Sequence, residues 1–412
     1  MNLIDQKNHP GARVVVGAAF LTILGALMAF TSLSTDIYLP AMPQMTEELN
    51  GNAELTITGF LIGFAIAQLI WGPISDSIGR KRPLFIGLVL FALGSVGCAL
   101  STSIQQIVFW RLFQAVGACV GPMLGRAMIR DLFSHVEAAE KLSTLTIIMA
   151  IAPIVGPLLG GQIITFSTWH SIFWLLSVIG VLMFFSVMFI PETLPKEKRN
   201  QASLGTAVGN YFWLFKHRGF ISNTLCVTFF YVAAYAFIAG SPFVYIKYFG
   251  VDPQHYGWLF AVNIIGVMFF SFINRRLVHQ FSLKKLLRTA TLVSALASVI
   301  LALVVKANFA SLWIVAAFIF VFFSMNGIIA ASATAAALGY VPHIAGSASA
   351  LIGSLQYGSG IISSLLLAFF LDGTPWTMIW IIALFTTLSA LMAILSPSEN
   401  EAEMRNTAVV SG

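Results

Sequence analysis

The sequence predicts an all-α membrane protein of twelve transmembrane helices, arranged as two pseudo-symmetric six-helix bundles. Three observations carry this prediction. Of 412 residues, 58% are hydrophobic and only 9% are charged, and the mean hydropathy is +0.88, far outside the range of soluble domains. Twelve apolar runs are long enough to cross about 30 Å of hydrocarbon, which takes roughly 20 residues each. Lys and Arg gather in alternate connections, as an even number of spans requires.

In the first half the runs extend over Val14 to Thr35, Leu55 to Ile74, Leu84 to Leu100, Ile104 to Ile129, Leu142 to Phe166 and Ile172 to Ile190. In the second half they extend over Ile221 to Tyr245, Tyr256 to Ile273, Leu286 to Val305, Leu312 to Leu338, Ala348 to Leu371 and Trp376 to Leu395. A closed barrel also satisfies its backbone in lipid, but its strands alternate polar and apolar residues, whereas these runs are continuously apolar. The first run lacks a small-residue cleavage site and reads as a retained helix. Cys98, Cys119 and Cys226 fall inside spans without metal-ligand or paired spacing, so each reads as a buried apolar residue, and no metal site or cofactor is expected.

Charge sets the expected orientation. Lys7, Arg13, Arg80, Lys81, Arg82, Arg130, Lys141, Lys196, Lys198, Arg199, Lys216, Arg218, Arg275, Arg276, Lys284, Lys285, Arg288 and Arg405 fall on one side, against Lys247 and Lys306 on the other. Cytoplasmic loops retain positive charge, so both termini are expected in the cytoplasm of a cell whose inner membrane holds the chain. The formal net charge of +6 is then a matter of topology and implies no nucleic-acid partner.

The longest connection divides the spans six and six. The expected organisation is a tail over 1–13, a bundle over 14–191, a cytoplasmic linker over 192–219, a second bundle over 220–396 and a tail over 397–412. Two such halves suit a carrier that rocks about a central cavity. No phosphate loop of the form GxxxxGK followed by Ser or Thr occurs, so the energy source is a gradient or another protein.

A charge in hydrocarbon is costly, which makes an intramembrane ionisable residue a functional candidate. Three qualify: Asp36 at the end of the first span, and Arg111 and Arg126 in the fourth. At 1.5 Å per residue, Asp36 and Arg111 fall at comparable depth near the outer end. Each also has a structural reading. Asp36 can cap its helix or face water, Arg111 can tie helices through backbone carbonyls or Gln114, and Arg126 can snorkel to headgroups.

Gly117, Gly121 and Gly125 repeat every four residues and form a groove for a neighbouring helix. The fifth span carries Pro153, Gly156, Pro157, Gly160 and Gly161, a combination that permits a kink at a gate. After the second span, Gly72, Pro73, Asp76, Gly79, Arg80, Lys81 and Arg82 form an expected loop with an acid and a basic cluster on opposite arms of a tight turn.

At these three segments the chain resembles the major facilitator superfamily, and within it the twelve-helix drug:proton antiporters. The 72–82 segment is similar to the superfamily's loop motif, Arg111 with Gln114 and Gly117 to its fourth-helix motif, and Gly156, Pro157, Gly160 and Gly161 to the fifth-helix antiporter motif. Three further segments resemble the Bcr/CflA (bicyclomycin-resistance) family: 35–43 around Asp36, 126–131 from Arg126 to Asp131, and 342–350 from Pro342. In two places the pattern differs: Ala152 stands four residues before Gly156 where glycine is expected, and Met28 stands where some related exporters carry a second membrane acid.

The resemblance implies a major facilitator fold and proton-coupled export of small drug-like molecules by alternating access. It implies that Asp36 and Arg111 serve proton coupling, that Gly72, Asp76, Gly79, Arg80 and Lys81 control the conformational switch, and that Gly156, Pro157, Gly160 and Gly161 form the antiporter motif. A proton symporter importing a small nutrient is the rival reading. An integral-membrane enzyme would need clustered acids, a nucleophile elbow or a metal cluster, and none is visible.

An apolar, aromatic-rich cavity suits drug-sized ligands. The expected substrate-binding residues are Tyr38, Gln68, Gln114, Arg126, Tyr231, Tyr235, Asn263, Asn326, Gln356 and Tyr357, with Phe230 as a further candidate. One membrane acid against two membrane arginines predicts a preference for neutral, anionic or zwitterionic compounds over dications. The expected partners are the drug substrate, protons and the lipid bilayer, and the expected state is a monomer.

Overall fold

The computed structural model describes residues 18–199, 204–341, 344–370 and 372–396. Within them the chain forms α1 (Ala18–Asp36), α2 (Met42–Glu48), α3 (Glu54–Ile78), α4 (Lys81–Ala99), α5 (Ile104–Ala118), α6 (Val120–Leu132), α7 (His135–Phe166) and α8 (Trp169–Met188). The second half forms α9 (Leu204–Lys216), α10 (Arg218–Pro242), α11 (Pro253–Leu277), α12 (Leu283–Lys306), α13 (Leu312–Ser324), α14 (Asn326–Gly339), α15 (Ala345–Phe369) and α16 (Trp376–Leu395). Among the described residues 12 helical segments are long and apolar enough to cross a membrane. The tails, with Lys7, Arg13 and Arg405, and Pro342 and His343 lie outside the described residues.

Two spans are interrupted at mid-depth, the fourth between α5 and α6 and the tenth between α13 and α14. Proline explains the first. Pro122 has no N–H to offer the Ala118 carbonyl four residues back, and that oxygen instead accepts the Thr31 hydroxyl of α1 at 3.1 Å. The Trp71 indole of α3 donates to the neighbouring Val116 carbonyl at 3.0 Å. In the seventh span α10 ends at Pro242 and passes into a π-turn over Phe243–Tyr248.

The six-helix halves share a pattern of contacts, apart from the broad packing of α10 on α16, which has only a slight counterpart in α1 on α8. In the first half α1 packs on α6 and α7, α3 on α5, and α4 on α5 and α8. In the second, α10 packs on α14 and α15, α11 on α13 and α14, and α12 on α13, α14 and α16. The halves meet along two seams, α3 against α15 and α7 against α11. These seams exchange with one another when the first six spans are laid on the last six, which is the pseudo-symmetry expected of parallel repeats. Outward faces present exposed apolar stripes at helical spacing, such as Leu292, Leu296, Val299 and Leu303 on α12, where lipid is the only favourable solvent.

The fourth-span glycines do form a groove. A methyl group on Gly117 would strike the backbone of Gly87 and Phe91 in α4, and one on Gly121 the Leu27 carbonyl of α1. The fifth span, whose prolines permit a kink, runs as one helix of 32 residues through Pro153 and Pro157. The segment expected as a loop after the second span is instead the last two turns of α3, with Gly72, Pro73 and Asp76 inside the helix. The helix stops at Gly79, whose φ of 96° suits glycine and few other residues.

Candidate functional site

One end of the bundle carries Arg80, Lys81, Arg82, Arg130, Arg218, Arg275, Arg276, Lys285 and Arg288 and is called here the basic end; the other is the far end. At the far end the halves are in contact. On the α7–α11 seam, a methyl on Gly161 would sit 2.6 Å from the Pro253 carbonyl oxygen, and one on Gly257 would sit 2.8 Å from the Leu158 backbone nitrogen. On the α3–α15 seam, Asn52 donates to the Ala368 carbonyl at 3.1 Å and Ser354 to the Ala65 carbonyl at 3.0 Å. Lys247 and Glu47 form an exposed ion pair across the far surface at 3.3 Å. Toward the basic end the seam parts around a cavity of about 340 Å³, lined among others by Gln68, Asp76, Arg126, Arg130, Tyr211 and Ser347.

Asp36 ends α1 and is only 6% exposed, so it does not face open water at the far end. Its carboxylate accepts the Thr35 hydroxyl at 3.0 Å, and among the described residues no ion pair holds it. The antiporter-like glycines shape this place. A methyl on Gly156 would press on Asp36 Cβ at 3.3 Å, and one on Gly160 would overlap the Ile37 carbonyl. The turn out of α1 thus lies in a groove of α7 that only glycine leaves open.

Arg111 is fully buried on α5. Its Nη1 donates to the Ser34 carbonyl at 3.0 Å and to Gln114 Oε1 at 2.6 Å, while Gln114 Nε2 donates to Ser95 Oγ at 2.7 Å. The guanidinium lies 4.4 Å from the centroid of Phe60 and 4.5 Å from that of Tyr38, both attractive arrangements for a planar cation. Nε and Nη2 have no hydrogen-bond partner among the described residues. The structural tie through Gln114 and a backbone carbonyl is therefore present, and the carbonyl it uses belongs to Ser34, two residues before Asp36.

Three tyrosines of the second half, Tyr235, Tyr256 and Tyr357, lie within electrostatic reach of Asp36. Tyr357 is also within reach of Arg126, which is exposed into the cavity. Tyr357 packs on Phe64 at 4.1 Å between centroids and on Tyr235 at 6.5 Å, and Tyr231 pairs with Asn326. An aromatic column thus runs from Asp36 toward the basic-end cavity.

Of the expected substrate-binding residues, Gln68 and Arg126 line this cavity, and Tyr231, Tyr235, Asn326 and Tyr357 gather in the column. Gln356 is half-buried beside Tyr357 on α15. Four of the candidates are instead packed away from it. Tyr38 and Gln114 are fully buried around Arg111, with the Tyr38 hydroxyl on Thr56 at 3.0 Å, and neither lines the cavity. Asn263 is buried and turns its amide back on the Leu259 carbonyl of its own helix at 2.8 Å. Phe230 is likewise sealed, against Phe322.

The expected switch residues form a network at the basic end. Arg80 pairs with Asp76 and with Asp131 at 2.9 Å, and Thr193 donates to the same Asp131 carboxylate at 3.0 Å. Glu192 accepts the backbone N–H groups of Arg80 at 2.8 Å and Lys81 at 3.1 Å, a carboxylate seated on the N-terminus of α4. Lys81 Nζ donates to the Met188 carbonyl at 2.9 Å. Burial works against the Arg80 cation, but Asp131 and Asp76 outweigh it and hold its pKa above the ordinary arginine value. Sequence reasoning placed Asp131 in a family-like segment and Glu192 in the linker; neither spacing nor charge pointed to their shared contact with Arg80. A methyl on Gly72, which lines the cavity, would meet nothing within 4 Å, and among the described residues no group of His, Cys, Asp or Glu converges as metal ligands would.

Comparison with known proteins agrees with this arrangement. The family model of the Major Facilitator Superfamily matches residues 23–247 and again 224–410. The chain is 38% identical to an uncharacterised MFS-type transporter, YdgK, of Bacillus subtilis, over 87% of this chain and 90% of that one. It is 31% identical to a bicyclomycin resistance protein homolog of Haemophilus influenzae, over 92% and 96% respectively. The solved structure of the nucleoside transporter NupG superposes with a TM-score of 0.75 at 14% identity, over 92% of this chain and 99% of that one, a likeness of fold. Two six-helix halves, closed at one end around a buried acid and parted at the other around a cavity, are thus those of a multi-pass transporter, and the chain belongs to the major facilitator superfamily.

Proposed function

We propose that the chain exports small drug-like molecules of the bicyclomycin and chloramphenicol type across a bacterial inner membrane, in exchange for protons and by alternating access. The observation that carries this reading is Asp36: a buried carboxyl with no ion pair among the described residues, seated in the Gly156–Gly160 groove and within electrostatic reach of tyrosines of the other half. A carboxyl sealed from water in that way is relieved by binding a proton, and one opened to water by releasing it. Arg111, tied to the Ser34 carbonyl two residues before Asp36, sets a positive charge close to that carboxyl. The relative named for bicyclomycin resistance supports the direction and the class of substrate.

The basic end is the cytoplasmic one in this reading, since positive charge is retained there. The parted seam then makes the structure inward-facing, with drug entering beside Gln68 and Arg126 toward the aromatic column. Asp76, Gly79, Arg80 and Lys81 hold the switch, the segments 14–191 and 220–396 move as the two bodies, and the monomer is the working unit.

Proton release from energised inverted vesicles on adding bicyclomycin or chloramphenicol tests the reading. Release is expected from the parent chain and absent from Asp36→Asn. Export of drug without any proton movement in the parent chain refutes antiport, and net uptake of drug into whole cells refutes export.

A further inference from the structure

The α3–α15 seam holds a second buried acid that the coupling site does not use. Glu54, the first residue of α3, is 1% exposed, and its Oε2 has no hydrogen-bond partner among the described residues. Its position on the helix says what covers it. Glu54, Thr58, Leu61, Ala65 and Gln68 fall at spacings of four, three, four and three, one face of a helix. The inner three of these meet α15: Leu61 lies against Gly360, Ala65 accepts Ser354, and Gln68 lies against Gly353. The facing stripe of α15 is Gly353, Tyr357, Gly360, Ser364 and Leu367, with Ser364 fully buried. The antiparallel register, with Asn52 on Ala368 one turn beyond, sets Glu54 and Thr58 opposite Ser364 and Leu367.

Charged and titratable groups on the surrounding elements are engaged elsewhere. Arg111 of α5 is turned onto Phe60, Ser34 and Gln114. Tyr357 of α15 lies on Phe64, and the Tyr38 hydroxyl on Thr56. Tyr235 of α10 lies against Gly360, deeper in the seam. Glu48 accepts the Trp169 indole at 2.7 Å, and Glu47 pairs with Lys247. The ionisable groups of α4, α6 and α9 that approach α3 belong to the basic end, save for buried Cys98 and Cys119.

We propose that Glu54 is a proton-sensitive latch of the far-end gate: the α3–α15 seam closes over Glu54 when its carboxyl is protonated, and ionisation of that carboxyl favours the open seam. A carboxylate in a dry seam with no cation is costly, and protonation removes the charge where it stands. The seam is shut from Asn52 down to Gln68 and parts only beyond, so Glu54 communicates with the far side alone. It takes its proton from that side and returns it there. It therefore sets when the gate closes and carries no proton across. The inference goes beyond the coupling role of Asp36 but rests on alternating access.

A cysteine at Ser364, reached only when the seam opens, reports the latch. In whole cells, its labelling by a membrane-impermeant maleimide is followed against external pH and normalised to a cysteine at exposed Phe166. With Glu54 present, the normalised rate is expected to rise with pH by up to about tenfold per unit, the dependence of a one-proton equilibrium. In Glu54→Gln it is expected to be low and flat, in Glu54→Asp to keep its pH dependence, and in Asp36→Asn to keep it as well. A flat profile with Glu54 intact overturns the proposal even if Glu54→Gln does not fold. Retained dependence in Glu54→Gln overturns it, and so does loss of dependence in Asp36→Asn. Failure of the antiport reading is separate, since it shows as absent drug-driven proton release in the chain with Glu54 intact.

Discussion

Adding one methyl group at Gly161 should shift the conformational equilibrium without touching either charged site. A Cβ there would meet the Pro253 carbonyl oxygen at 2.6 Å and Gln254 Cα at 3.2 Å, both backbone atoms of the other half that cannot rotate away. Forcing a methyl group into a packed contact of this kind costs about 1–3 kcal/mol. The improved helix propensity of alanine, about 1 kcal/mol, applies in both arrangements and cancels. The cost falls only where α7 and α11 touch, so far-end closure should weaken by about 5- to 150-fold. Spin labels on cysteines at exposed Phe166 and Phe309, one in each half at the far end, read this as a new longer component in the distance distribution. Gly160→Ala is the control. Its methyl would overlap the Ile37 carbonyl within the same half, so it should lower the melting temperature of the protein in either arrangement. An unchanged distribution in Gly161→Ala, or the same long component in Gly160→Ala, refutes the reasoning.

Two further outcomes are expected. Arg111→Lys should lose drug-driven proton movement in vesicles and melt at lower temperature, because an ammonium cannot lie flat between Phe60 and Tyr38 as the planar guanidinium does. A transport rate equal to the parent's would show that the aromatic seat of the guanidinium is dispensable. At the basic end, the raised pKa of Arg80 places its contribution below the unfolded value and loses it only as pH climbs through the folded one. That window lies above the ordinary arginine range, so the Arg80 cation should contribute no pH dependence to basic-end closure from roughly pH 5 to 9. Cysteine labelling at Ser347, on the cavity wall, checks this: a change in Arg80→Ala at every pH is expected, and a pH-dependent difference between the parent chain and Arg80→Ala counts against it.

Composition and periodicity determined the solvent, the helical class, the number of spans and the division into halves, because a bilayer leaves a continuous apolar run of some 20 residues little choice but to close its own hydrogen bonds as a helix. Local spacing also revealed the glycine groove of the fourth span and the tie from Arg111 to Gln114, both of which act within a turn of one helix. Helix ends were less legible. The α3 terminus moved to Gly79 because Pro73 forfeits only one hydrogen bond, and the fourth span broke where Pro122 released a carbonyl that Thr31, far away in sequence, could take. What only the tertiary structure decided were the partners. Asp131 and Glu192 meet at Arg80, Asp36 rests on Gly156, and Glu54 is buried at the end of α3 that packs on α15, because helices distant in sequence come together there. Burial of an ionisable group is a property of what packs over it, and for Glu54 that covering helix begins almost three hundred residues later in the chain.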